Sequence, residues 1–239
     1  MSIKAVLFDL DGTLLPLDND TFINAYFTRL VGWLVPYGYE PKQVSDTIWK
    51  GTAAMVKNDG SKINEAAFWE VFSSVYSEEK AKADAPAFDA FYNSPEGFDR
   101  VREVMGFAPM AKETVLLVKE LGLRPVLATN PVFPSIATEK RTIWAGLSPN
   151  DFELYTTYEN SSFCKPNVAY YEEIIKKLGI KAEECLMVGN DVTDDMIAEK
   201  LGMKVFLLTD CLINKTDRKI SDFPNGSFEE LCDFLKKLN

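Results

Sequence analysis

The sequence predicts a doubly wound α/β fold, a parallel sheet with helices on both faces, carrying a small all-helical insertion. Residues 1–15 and 105–239 alternate short apolar, β-rich runs with amphipathic segments. Residues 16–104 have few such runs and contain many aromatic residues at helical spacing. Strands separated by helices are typical of a parallel sheet. A chain of 239 residues is long enough for such a core plus a small second domain.

Five apolar runs are predicted to form the strands of the sheet. They are Ile3–Phe8, Pro125–Asn130, Glu153–Tyr158, Glu184–Asn190 and Lys204–Thr209. The helices between them are predicted at about 110–122, 134–146, 167–178, 194–201 and 227–238, where Gly122, Gly146, Gly179 and Gly202 provide helix ends.

The insertion is predicted to contain about four helices, near 20–35, 41–57, 64–77 and 84–93. The spacing of Phe68 and Phe72, and that of Phe88 and Tyr92, places aromatic rings on one helix face. We interpret these rings mainly as the insertion's own core, with a substrate pocket as the alternative.

Composition excludes several classes of function. The formal net charge of −10 argues against nucleic acid or an anionic membrane as the main partner. The absence of histidine excludes Ser–His and Cys–His catalysis and histidine metal sites. The four cysteines are scattered and are expected to be buried reduced thiols. No segment has membrane-spanning length and no leader pattern is present, so we expect a cytoplasmic protein.

The strongest signal is the run from Asp9 to Leu14, Asp-Leu-Asp-Gly-Thr-Leu, directly after the first strand. Asp9 and Asp11 fall on the same side of the chain by strand periodicity, and Gly12 permits a sharp turn beneath them. Two adjacent carboxylates repel each other, so the pair requires a cation or a shared proton. A simple turn would need neither the second carboxylate nor Thr13.

Three further positions follow other predicted strands. Thr129 and Asn130 end the second strand and could bind an anion through a hydroxyl and backbone amides. Lys165, held before Pro166, is a candidate cation for a phosphate. The stretch from Asn190 to Asp195 contains three carboxylates, more than helix capping requires, and indicates a site for a hard cation.

These positions are expected to converge. In a doubly wound sheet the first strand is central and lies between the second and the fourth. The carboxyl ends bearing Asp9, Asp11, Thr129 and Asp191 would then meet at one crevice.

In order and spacing, these four motifs resemble those of the haloacid dehalogenase superfamily of hydrolases, in its phosphatase branch. The resemblance covers nearly the whole chain and implies a Rossmann-like core, residues 1–15 and 105–239, with residues 16–104 as an α-helical cap. It also implies an Mg²⁺-dependent phosphatase that hydrolyses a small-metabolite phosphomonoester through an aspartyl-phosphate.

The resemblance implies a role for each motif. Asp9 would be the nucleophile and Asp11 the general acid and base. Thr129 and the amide of Asn130 would hold phosphoryl oxygens, and Lys165 would neutralise both the phosphate and Asp9. Mg²⁺ would bind the Asp9 carboxylate, the Asp11 carbonyl oxygen and a carboxylate of the last motif.

One departure from the family pattern concerns the metal. The last motif commonly reads Gly-Asp, but here Asn190 follows Gly189. We predict that Asp191 supplies the metal ligand, with Asn190 and Asp195 as supporting groups.

Three alternatives to a phosphatase are compatible with parts of this pattern. Asp11 disfavours a dehalogenase, since that branch needs neither a metal nor this second acid. A phosphomutase would share every motif. A catalytically silent binding protein of the same fold is also kept open by Asn190.

Overall fold

The computed structural model describes residues 2–238 and contains a six-stranded parallel sheet. The strands are β1 (Ala5–Phe8), β2 (Arg124–Leu127), β3 (Leu154–Tyr155), β4 (Cys185–Gly189), β5 (Lys204–Leu208) and β6 (Asn225–Gly226). Their spatial order is β3-β2-β1-β4-β5-β6, so β1 lies between β2 and β4 as predicted. The two-residue strand β6 was not predicted, because so short a segment has no apolar run.

Eight α-helices surround and interrupt the sheet within the described residues. Four form the insertion that follows β1: α1 (Asn19–Leu34), α2 (Pro41–Val56), α3 (Asn64–Tyr76) and α4 (Glu78–Asn93). The others are α5 (Pro109–Glu120), α6 (Ser135–Trp144), α7 (Val168–Leu178) and α8 (Phe228–Lys236).

Two helix predictions need correction. Helix α4 begins at Glu78 rather than near residue 84, because its first turns contain no aromatic residues to reveal the spacing. The segment predicted as a helix over 194–201 is a 3₁₀ helix, Met196–Leu201. The acids before it form a loop with backbone hydrogen bonds from Asp195 and Met196 to the carbonyl of Asp191.

The apolar core has two layers, one on each face of the sheet. Alternate residues of β1 belong to different layers: Val6 and Phe8 pack with the layer that contains α5 and α8, and Ala5 and Leu7 with the layer that contains α7. This alternation follows from the two-residue period of a strand. Strands buried on both faces read as continuous apolar runs, which is the pattern observed here.

The register of the central strands aligns their carboxyl ends. Phe8 of β1 lies opposite Leu127 of β2 and Val188 of β4. The backbone amide of Asp9 then donates to the carbonyl of Val188 at 2.9 Å. Residues immediately after the three strands are therefore brought to one edge of the sheet.

The four cysteines are free; Cys164 and Cys185 are buried as expected, whereas Cys211 and Cys232 are only partly buried. Across residues 2–238, no helix combines the length and apolar character that a membrane crossing requires.

Asn64, the first residue of α3, attaches the helical insertion to loops of the sheet domain. Its fully buried side-chain amide donates to the carbonyl of Pro131 at 3.1 Å and lies 3.3 Å from the sulfur of Cys164. Its backbone amide donates to the carbonyl of Ser161 at 2.8 Å. One side chain thus joins the insertion to the loops that follow β2 and precede α7.

We expect Asn64→Leu to lower the free energy of unfolding by about 2–3 kcal/mol, because buried hydrogen-bonding groups lose their partner. Urea unfolding followed by circular dichroism measures the effect. The exposed Asn150, substituted to Ala, serves as the control and should change stability by less than about 0.5 kcal/mol. Equal effects of the two substitutions would contradict a structural role for Asn64.

Candidate active site

A buried lysine lies between two carboxylates at the carboxyl edge of the sheet. The Nζ atom of Lys165 donates to Oδ1 of Asp9 at 2.8 Å and to Oδ1 of Asp195 at 2.7 Å. Only 2% of the Lys165 side chain is exposed. Burial lowers the pKa of Lys165, but Asp195 and Asp9 more than offset this, so that pKa lies well above its usual value. The site thus contains a permanent cation.

Asp195 is itself held in place by the loop after β4. Its Oδ2 accepts a hydrogen bond from the backbone amide of Asp191 at 3.0 Å. A Cβ on Gly189 would lie 2.1 Å from the same oxygen, so only glycine permits this approach. Burial raises the pKa of Asp195 and the charge of Lys165 opposes that rise. Asp195 is thus fixed in direct contact with Lys165.

The second carboxylate oxygen of Asp9, Oδ2, contacts Thr13 rather than Lys165. The Thr13 hydroxyl lies 3.1 Å from Oδ2 of Asp9 and 3.0 Å from Oδ1 of Asn190. The Asn190 amide also donates to the carbonyl of Cys211 at 2.6 Å. Gly12 has a φ of +84°, and a Cβ there would lie 2.4 Å from the Asn190 amide nitrogen. The turn thus allows Asn190 to reach the Asp9 network.

Asp11 has a different partner, Arg141 of α6, which the sequence analysis did not identify. The fully buried guanidinium of Arg141 pairs with Oδ2 of Asp11. The Nε atom of Arg141 donates to the carbonyl of Ala137 at 3.2 Å, and the guanidinium carbon lies 4.4 Å from the ring centre of Phe133. Burial raises the pKa of Asp11, and Arg141 acts against the rise. Oδ1 of Asp11 is buried without a hydrogen-bond partner.

One signal in the sequence could have revealed Arg141. It lies four residues after Ala137 and three before Trp144, on the buried face of its helix. A cation on an apolar helix face requires a buried partner. The partner could not have been identified from the sequence, because Asp11 is 130 residues away along the chain.

Thr129 and Asn130 follow β2 at the same edge. The carbonyl of Thr129 accepts hydrogen bonds from the hydroxyl of Thr156 at 2.6 Å and of Tyr170 at 2.9 Å. These contacts fix the backbone, while the Thr129 hydroxyl itself makes none within the part of the chain that the structure describes. The side-chain oxygen of Asn130 is buried without a partner. Both residues therefore have polar groups available to a ligand.

Asp191 has a capping contact as well as a place in the site. Its Oδ1 accepts from the backbone amides of Thr193 at 2.7 Å and Asp194 at 3.0 Å. Capping of this turn therefore accounts for one of the two carboxylate oxygens of Asp191. The adjacent Asp194 was not among the predicted site residues, and burial raises its pKa to about 6, against the effect of Lys165.

The available donors suit a hard cation such as Mg²⁺. Carboxylate or amide oxygens of Asp9, Asn190 and Asp191 face one cavity. Across residues 2–238, no three His, Cys, Asp or Glu side chains form a ready metal cluster. A cation here would therefore use few carboxylates together with backbone, amide, water or substrate oxygens, a ligand set that is usual for Mg²⁺.

The candidate catalytic and binding residues line one cavity of about 240 Å³. Every predicted site residue lines it: Asp9, Asp11, Thr129, Asn130, Lys165, Asn190, Asp191 and Asp195. Its other walls come from α1 to α4 of the insertion and from loops of the sheet domain. An enclosed site with paired carboxylates and a fixed cation can perform nucleophilic and acid–base chemistry on an anionic substrate.

Comparison with known proteins identifies relatives over the whole chain. The family model for haloacid dehalogenase-like hydrolases matches residues 3–202. The chain is 25% identical to a glyceraldehyde 3-phosphate phosphatase of Methanocaldococcus jannaschii, over 99% of this chain and 98% of that protein. It is 27% identical to a phosphoglycolate phosphatase of Vibrio parahaemolyticus, over 87% of this chain and 84% of that protein.

The fold also resembles solved structures. A 2-haloacid dehalogenase from Pseudomonas syringae pv. Tomato superimposes with a TM-score of 0.67 at 19% identity, over 99% of this chain and 100% of that one. At this identity the similarity establishes the shared architecture alone.

We expect Arg141→Met to destabilise the protein by about 3 kcal/mol, because it leaves the partly buried carboxylate of Asp11 without its cation. Asp11→Asn in the same background should recover part of that loss. The free energies of unfolding of the two single variants and the double variant, from urea titrations, give the coupling between the residues. Strictly additive effects would show that the ion pair makes no contribution of its own.

Proposed function

This chain belongs to the haloacid dehalogenase-like hydrolases, and we propose that it is a phosphatase that cleaves a small phosphomonoester through a phosphorylated Asp9. The observation that carries this proposal is the buried contact between Lys165 and Asp9 beside an enclosed cavity. An aspartate that attacks a phosphate dianion meets like-charge repulsion, and a fixed cation beside it reduces that barrier.

In the first step, an oxygen of Asp9 attacks phosphorus and the bond from phosphorus to the ester oxygen breaks. Lys165 donates to Oδ1 of Asp9, and Thr13 donates to Oδ2. These contacts fix the carboxylate plane and limit its motion before attack. The product of this step is an aspartyl-phosphate and a free alcohol.

Asp11 supplies the proton that the departing alkoxide needs. Arg141 holds Oδ2 of Asp11, which leaves the unpartnered Oδ1 to carry the proton. The pKa of Asp11 is raised mainly by burial, so the protonated form is more accessible than in an exposed aspartate. In the second step, Asp11 takes a proton from water as that water attacks phosphorus, which releases phosphate and restores Asp9.

The phosphoryl group would be held by Thr129, the backbone amide of Asn130 and Lys165. Thr129 and Asn130 follow the strand beside β1, and their side chains line the same cavity as Asp9. Donors arranged in advance stabilise the equatorial phosphoryl oxygens as charge develops on them.

Mg²⁺ would be held by the carboxylate of Asp9, the backbone carbonyl of Asp11 and the carboxylate of Asp191. When bound, it would supply positive charge that offsets the charges of the phosphate and of Asp9. Asn190 would support the site through Thr13, and Asp195 would support it through Lys165.

The helical insertion, residues 16–104, would act as the cap over this site, and residues 1–15 and 105–239 would form the catalytic core. The cap residue Asn64 contacts the loops adjoining Thr129 and Lys165. The phosphatase names of two relatives support the proposed phosphatase activity. A phosphomutase would use the same first step but return the phosphoryl group to an alcohol.

We expect Asp9→Asn to lower kcat by more than about 10³-fold on any substrate, because an amide is a poor nucleophile. Release of inorganic phosphate from a panel of phosphate esters measures the activity. The exposed Asp217, substituted to Asn, provides a matched control that should retain full activity. Activity of Asp9→Asn close to that of the wild type would contradict the nucleophile assignment.

Removal of Mg²⁺ with a chelator should abolish phosphate release, and Mg²⁺ should restore it. We expect Asp191→Ala to raise the Mg²⁺ concentration needed for half-maximal activity by about 10- to 100-fold, the range seen when metal-site groups are lost. Asn190→Ala should have the smaller effect. If Asp191→Ala leaves the dependence of activity on Mg²⁺ unchanged and Asn190→Ala abolishes that dependence, the metal ligand is Asn190 instead.

A further inference from the structure

The cavity beyond the catalytic groups is largely aromatic. One end contains Asp9, Asp11 and Lys165, whereas the walls formed by the insertion contain rings from all four of its helices. At about 240 Å³, the cavity is smaller than most sites for drug-sized ligands. A group next to the phosphoryl site would therefore contact aromatic walls.

Rings in these walls pack against one another. Phe27 and Trp49 stack with their centroids 4.6 Å apart and their planes within 9°. Trp69 and Phe88 meet edge to face at 5.3 Å. Flat apolar surfaces of this kind bind a ring through burial of apolar area and through ring–ring contacts.

Within residues 2–238, no free cation faces this part of the cavity. Among the described residues that line it, Lys165 is the one basic side chain, and it is held by Asp9 and Asp195. Arg141 is fully buried and paired with Asp11. A carboxylate on the alcohol part of a substrate would therefore find no free positive partner.

One carboxylate of the insertion also lines the cavity. The exposed Asp89 lines the cavity beside Phe88. Glu65 lies near it, and burial, followed by the charges of Glu159 and Asp89, raises the pKa of Glu65. A negatively charged alcohol would be repelled by these carboxylates.

From these contacts we infer that the substrate is the phosphate ester of an uncharged alcohol that carries one apolar ring, and that esters of hydroxy acids are excluded. This inference rests on the proposed phosphatase function. It separates this chain from the activities named for its relatives, because phosphoglycolate has a carboxylate and glyceraldehyde 3-phosphate has no ring.

The test compares benzyl phosphate with 4-carboxybenzyl phosphate, two esters that differ only by the carboxylate. Both release primary benzylic alcohols, so a difference in kcat/KM reports on the cavity rather than on the leaving group. We expect kcat/KM to be about 10- to 100-fold higher for benzyl phosphate, because the added carboxylate would meet Asp89 and would find no free cation among the described lining residues. Phosphoglycolate should be a poorer substrate than benzyl phosphate.

Two variants connect this preference to the cavity walls. Trp49→Ala should raise KM for benzyl phosphate about 10-fold with little change in kcat, because it removes a ring contact away from the reacting atoms. Tyr37→Ala, which removes a similarly exposed ring outside the cavity, is the control. Asp89→Asn should narrow the difference between the two benzyl esters.

The outcomes separate the inference from the proposed function. Equal or better turnover of 4-carboxybenzyl phosphate or phosphoglycolate would overturn the inference and leave the phosphatase assignment intact. If none of the tested esters releases phosphate, the phosphatase assignment is contradicted, and the inference about the substrate fails with it.

Discussion

The site depends on one electrostatic constraint, the burial of Lys165 between Asp9 and Asp195. A buried ammonium is costly unless carboxylates surround it, so the three groups must be held together by the fold. The register of β1 and β4 brings Asp9 beside the end of β4. The glycine at 189 then leaves room for the Asp195 side chain. The register of the sheet and the glycine at 189 thus allow both carboxylates to reach the buried Lys165.

The two carboxylates of the first motif are placed in different environments, although only one residue separates them. Asp9 contacts Lys165 and Thr13, whereas Asp11 contacts Arg141 and has one oxygen without a partner. Different partners are how neighbouring acids acquire different roles. Such a division suits a mechanism with one nucleophilic and one proton-transferring carboxylate. The helices of the insertion then complete the site by enclosing it with aromatic walls.

Most strands and site residues could be predicted from the sequence, because the patterns that indicate them are local. Apolar runs located five of the strands, and strand ends located Asp9 and Thr129. Arg141 and Asn64 were missed because their partners lie far away along the chain. The contact of Asn190 with Thr13 was also beyond sequence reasoning, since it depends on the turn at Gly12. The aromatic residues of the insertion proved to serve both its core and the cavity wall, as with Phe68 and Phe88. Periodicity identifies a buried face but not what that face encloses.

Covalent trapping of the phosphorylated enzyme tests the central claim most directly. Protein quenched in acid during turnover is treated with borohydride, which reduces an aspartyl-phosphate to homoserine, and its peptides are sequenced by mass spectrometry. The account predicts homoserine at position 9 and no reduced aspartate at position 11 or elsewhere. A reduced residue at any other aspartate, or turnover with no reduced aspartate at all, would contradict the claim that Asp9 is the nucleophile.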